Sequence, residues 1–171
     1  MKRIVVATLN NTAGVLNRVT GVMARRRFNI ESISVGHSEK EGMSRLTFIV
    51  NVESENQIEQ LTKHLNKQVD VIKVLDITED DVVERELALI KVSCNSNNRS
   101  EIFGFLDPFR AQVVDVGKDT LIIQIVGGQN KVDALIDLLK PFGIKEISRT
   151  GVIATARGTK KQEKTNKLLA Y

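Results

Sequence analysis

The chain has no tryptophan, one tyrosine, one cysteine, two prolines and two histidines among 171 residues, and each scarcity closes a class of function. A single thiol, Cys94, makes no internal disulfide, and a cytoplasmic location is the expectation. His37 and His64 have no cysteine or second histidine at metal-ligand spacing, so no metal site is expected. Aromatic residues are 4% of the chain, and the strand-like run from Arg3 contains none. Phe48 alone makes no base-stacking platform, which argues against RNA recognition. No apolar run approaches the roughly 20 residues of a membrane span. Met1-Lys2-Arg3 leads into strand-like alternation rather than the apolar core of a signal peptide.

Catalytic signatures are equally scarce. No nucleophile is paired with a base, so no catalytic residue is expected. Gly127-Gly128-Gln129-Asn130 lacks the Gly-Lys-Ser/Thr ending of a phosphate loop and reads as a turn with a cap. Asp80-Asp81 reads as a solvated joint. The net charge of +4 arises beyond Ala156, where five cations face Glu163 alone, leaving 20 of each sign in residues 1–156. A balanced body lacks the basic stripe of a nucleic-acid binder.

Hydrophobic residues make up 42% of the chain, and their spacing supplies the elements. Strands are expected at residues 3–9, 30–38, 44–52 and 69–77. The first helix spans 14–26, and a second, with Ile58, Leu61 and Leu65 inward, follows the capping-box form Ser54-x-x-Gln57. Leu46, Phe48, Val50 and Val52 share one strand face at period two. After the acidic joint at 78–81 the same order returns. Strands fall at 87–94, 111–116, 120–126 and 144–148, with helices around 102–109 and 130–140. Pro108 shortens or kinks the former. The fold class is therefore α+β, two ferredoxin-like βαββαβ domains in tandem at 1–78 and 79–158, with a polar, lysine-rich tail at 159–171. Units this small leave one sheet face and two edges open, so an oligomer is expected.

Residues 2–27 carry the most information. A β-branched run meets Asn10-Asn11-Thr12-Ala13-Gly14, and the loop opens into an amphipathic helix with Val15, Leu16, Val19, Val22 and Met23 on one face. Asn11 or Thr12 is positioned to cap that helix. Ala13 and Gly14 leave the backbone approachable, and a helix start with free N–H groups favours a carboxylate.

With these residues, and with Arg27-Phe28-Asn29-Ile30-Glu31-Ser32-Ile33, the chain resembles the ACT-domain small regulatory subunits of acetolactate synthase. Ser44-Arg45-Leu46-Thr47, Lys67-Gln68-Val69-Asp70-Val71, Val83-Glu84-Arg85-Glu86-Leu87 and Ile147-Ser148-Arg149-Thr150-Gly151 extend the likeness over most of the chain. The resemblance implies a first domain of ACT type and a subunit without catalysis of its own. Such a subunit binds and activates the catalytic (large) subunit and confers feedback inhibition by valine in branched-chain amino-acid biosynthesis. It further implies a homodimer through the ACT domain. Thiamine diphosphate, Mg²⁺ and FAD would sit on the catalytic partner and none on this chain. Carried onto this sequence, valine's carboxylate would meet backbone N–H groups at Ala13, Gly14, Val15 and Leu16. Asn11 would bond its polar end, and Asn29 and Ile30 from the mate would complete the pocket. The alternatives are a free-standing amino-acid sensor with another target, a transcription regulator (no helix-turn-helix is visible), and an enzyme.

Overall fold

The computed structural model describes residues 1–158; the expected tail at 159–171 lies outside them. The first half contains β1 (Lys2–Asn10), α1 (Val15–Arg25), β2 (Asn29–His37), β3 (Met43–Asn51), α2 (Glu55–Asn66) and β4 (Val71–Asp76). Its strands form an antiparallel sheet in the order β2-β3-β1-β4. The second half contains β5 (Val82–Ser93), α3 (Arg99–Phe109), β6 (Gln112–Val116), β7 (Thr120–Gly127), α4 (Gln129–Leu139) and β8 (Ile144–Arg149), in the order β6-β7-β5-β8. The architecture is α+β, built from two βαββαβ units.

Periodicity explains the first core. Val5, Ala7 and Leu9 of β1 share a face with Leu46, Phe48 and Val50 of β3. Onto that face pack Val15, Val19, Val22 and Met23 of α1 and Ile58, Leu61 and Leu65 of α2. In the second core Ala88, Ile90, Val92 and buried Cys94 meet Leu121, Ile123 and Ile125 beneath α3 and α4. Pro108 sits in the last turn of α3, which ends one residue later.

Several expectations need correction. Leu16, expected on one face with Val15, Val19, Val22 and Met23, is instead 38% exposed at the edge of that stripe and borders the cleft shared with the end of β2. Val69 was placed in β4, yet it is 94% exposed in the turn before that strand, since Gln68 and Asp70 are tied into the turn by backbone bonds. The capping box is half-formed: Gln57 Oε1 accepts from the amide of Glu53 rather than Ser54, and Ser54 makes no side-chain cap.

The largest correction concerns the helix-free face of the first sheet, which was expected to be open. Val6, Thr47 and Ile49 on that face are buried. An additional strand, β9 (Ile153–Ala156), pairs with Val82–Arg85 at the start of β5, and this ribbon lies against the face. Val6, Ile77 and Ala154 form a small shared core there. Arg45 Nη2 donates to the Ala154 carbonyl at 3.1 Å, and the Val152 amide donates to Ser32 Oγ at 2.9 Å. The acidic joint is also held: Arg157 pairs with Asp81 at 3.0 Å, and buried Arg3 pairs with Glu79 and Glu55 at 2.9 Å each.

Gly151 is the tightest point of this junction. It has a φ of +77°, and a Cβ there would stand 2.8 Å from the Ile33 carbonyl oxygen. Gly151→Ala is expected to lower unfolding stability by about 1–3 kcal/mol, through strain and the displaced strand. Gly104→Ala, in the exposed middle of α3 with nothing within 4 Å, should instead raise it, by about 0.5–1 kcal/mol. Urea titration of both variants reads the contrast; equal midpoints would contradict it.

Candidate functional site

The crossover from β1 to α1 is four residues long, and Gly14 occupies the N-cap position with φ 79°. Glycine takes this left-handed geometry without the penalty that a Cβ brings. The expected side-chain cap is absent: neither Asn11 nor Thr12 bonds the helix start. Thr12 stands too early in the loop and its hydroxyl is engaged elsewhere, donating to Asp70 Oδ1 at 3.2 Å.

The loop's amides divide into two groups. Asn11 N–H donates to the Gly42 carbonyl at 2.8 Å, Thr12 N–H to that of Asn10 at 2.9 Å, and Val15 N–H to that of Thr12 at 3.2 Å. Among the described residues, the amides of Ala13, Gly14 and Leu16 have no acceptor. Unsatisfied N–H groups at a helix start, reinforced by the helix dipole, favour an anionic group.

Beside them lies a cleft of about 410 Å³. Asn11, Thr12, Gly14, Val15 and Leu16 form one side, and Val35, Gly36 and His37 at the end of β2 form the other. Leu9 and Ser44 complete its lining. Apolar walls beside a few polar groups describe a small-molecule site. Of the residues singled out in the sequence, Asn11, Gly14, Val15 and Leu16 line this cleft; Ala13 belongs to the loop without lining it. Asn29 and Ile30 do not join them within one chain. Asn29 pairs with Asn51, at the end of the sheet where β1 begins, whereas His37 pairs with Ser44 beside the loop. Eight strand steps, about 27 Å, separate Asn29 from His37.

The sequence pattern marks neither Val35 nor Gly36, and His37 enters it only as a histidine without metal-ligand partners. The period of β2 assigns Val35 and His37 to the helix side, but only the order β2-β3-β1 brings that strand end beside the loop. His37 is exposed and borders the cleft.

A second, more polar groove of about 260 Å³ lies at the other end of α1, among Arg26, Arg27, Phe28, Asn51, Gln57 and His64. Arg27 adopts φ 59°, a left-handed conformation unusual for a side chain of its size. His64 is half-buried there, and its pKa is lowered by desolvation first and then by the cations Arg26 and Lys67. Arg26→Gln should raise the His64 titration midpoint, because the protonated ring then meets one cation fewer. An NMR titration of the imidazole resonance reads this; an unmoved midpoint would contradict it.

Comparison with known proteins gives a consistent result. Residues 6–73 match the family model "AHAS small subunit-like ACT domain", and residues 85–158 match "Small subunit of acetolactate synthase". The chain is 57% identical over 170 residues to the acetolactate synthase small subunit of Bacillus subtilis, covering 99% of each. It is 46% identical to the probable acetolactate synthase small subunit of Archaeoglobus fulgidus, covering 94% of this chain and all of the relative. The crystal structure of the acetolactate synthase small subunit from Thermotoga maritima superposes with a TM-score of 0.85 at 40% identity, covering 93% of this chain and 99% of that one.

Proposed function

The chain belongs to the family of acetolactate synthase small subunits, and we propose that it regulates a catalytic large subunit, raising its activity and making it sensitive to valine. Thiamine diphosphate, Mg²⁺ and FAD belong to the partner in this reading, which assigns no catalytic step to this chain. The division of labour follows residues 1–78 as the effector-sensing ACT domain and 79–158 as a second domain.

One observation carries the effector assignment. Three backbone donors without acceptors stand at the lip of a largely apolar cleft that Gly14 itself lines. A free α-amino acid with a branched aliphatic side chain has the complementary parts. Its carboxylate takes the amides at Ala13, Gly14 and Leu16, its polar end reaches Asn11, and its methyl groups enter the cleft. Apolar contact alone discriminates one methylene by about 1–3 kcal/mol, so leucine and isoleucine bind more weakly rather than not at all.

A homodimer belongs to the same proposal. The strand β2 is an edge with exposed Ile33 and Val35. Two copies paired antiparallel along β2 about a two-fold axis set Asn29 of one strand opposite His37 of the other. The mate's Asn29 and Ile30 then arrive at the open side of the cleft. Gly14→Asp, which adds a Cβ 3.2 Å from Arg18 Nη1 and a negative charge among the carboxylate-binding amides, is expected to abolish valine inhibition. Asn29→His is expected to do the same from the opposite chain. Both should still activate the catalytic subunit, measured as acetolactate formed across a valine titration. Full valine sensitivity in either variant would remove that residue from the site.

A further inference from the structure

We infer that Asp70, acting through Arg18 and Thr12, is the positioning residue that holds the loop between β1 and α1 in its ligand-receiving shape; the inference rests on the effector reading above. Among the described residues, the hydrogen bonds and ion pair that tie the turn before β4 to this loop and its flanking residues Asn10 and Arg18 all fall on Asp70. Its backbone carbonyl accepts the Asn10 amide at 2.8 Å. Its carboxylate accepts the Thr12 hydroxyl at 3.2 Å through Oδ1 and pairs with Arg18 Nη2 at 2.5 Å through Oδ2. Arg18 lies one helical turn past Gly14, and its guanidinium returns over the loop. Nη2 donates to Thr12 Oγ1 at 3.3 Å, and Nη1 donates to the Ala13 carbonyl at 3.4 Å.

This network occupies a carbonyl and a hydroxyl of the loop and none of the three free amides. Neither Asp70 nor Arg18 lines the cleft. Their contribution is therefore to fix where the Ala13 and Gly14 peptides sit, not to touch ligand. Arg18 is 46% exposed in its side chain, so the pair stabilises the fold only weakly. Its effect falls on the loop. When the tie is cut, the receiving shape becomes one conformation among several, and apparent affinity falls with the fraction of chains that hold it. Asp70 stands in the segment Lys67-Gln68-Val69-Asp70-Val71, whose periodicity alone assigned it to a strand; its place in the turn is what gives it this reach.

The test is calorimetric titration of valine into the full chain and into Asp70→Asn, Arg18→Gln and the double variant. Each single variant should weaken binding about tenfold with the number of sites unchanged. The double should lose less than the sum of the two singles, because both remove the shared Asp70–Arg18 pair while each also has a contact of its own, Asp70 with Thr12 and Arg18 with Ala13. Asp70→Glu, which keeps the charge, should recover part of the loss. Wild-type affinity in Asp70→Asn overturns the inference, as does a double variant whose losses add in full. A wild-type chain that binds no valine overturns the effector reading and this inference together. Should Asp70→Asn fail to fold, Arg18→Gln with its Arg18→Lys counterpart reads the same tie from the helix side.

Discussion

Among the described residues the outer edge of β2 has no partner strand, and the proposed site depends on that open edge. A strand at the end of a sheet leaves a row of backbone donors and acceptors unpaired, and proteins commonly blunt such edges with charge, proline or a bulge. In β2 the blunting is partial: a register shift beside Glu31, then Ile33 and Val35 exposed at 40% and 46%. Leu16 on α1 is exposed over the same side. Apolar side chains along an unpaired edge favour a second strand, and a two-fold axis is the simplest way for identical chains to supply one. The geometry then follows from strand length alone, since antiparallel pairing sets the far end of one β2 against the near end of the other. In the proposed dimer the cleft of each chain is completed by the other, giving two sites.

The same strand is held from its other face. Val152 bonds Ser32, and Gly151 fits against the Ile33 carbonyl. The helix side of β2 therefore borders the cleft while its opposite side bears the turn that leads into β9. The cleft and the second half of the chain meet one strand from opposite faces. Regulation requires an effector to favour one arrangement of an assembly over another. Val35, Gly36 and His37 beside the cleft and Ser32 beneath Val152 belong to this one strand.

The sequence made the two βαββαβ units legible because each core uses long, regular apolar spacing, as in Leu46, Phe48 and Val50 or Ile58, Leu61 and Leu65. It did not reveal β9, since four residues, Ile-Ala-Thr-Ala, are too few to show a period and their role depends on a face formed some 100 residues earlier. Part of the candidate site was legible for a local reason: Asn11, Gly14, Val15 and Leu16 fall within one six-residue stretch, so their chemistry shows in order. Val35, Gly36 and His37 were not, because their approach to the loop is set by strand order. The helix cap failed on a similar point. Asn11 and Thr12 are good capping residues, but Asp70, distant in sequence, takes the Thr12 hydroxyl, and Gly14 starts the helix through backbone geometry instead.

The central claim is that each site takes its loop from one chain and Asn29 from the other. Gly14→Asp and Asn29→His, each without valine binding by itself, should complement when the two variants are unfolded together, refolded and titrated by calorimetry. In every mixed dimer one site then has both residues intact, and about one quarter of the wild-type valine sites should return with wild-type affinity. If the mixture binds no more valine than the separate variants, the pocket is not shared between chains and the account fails.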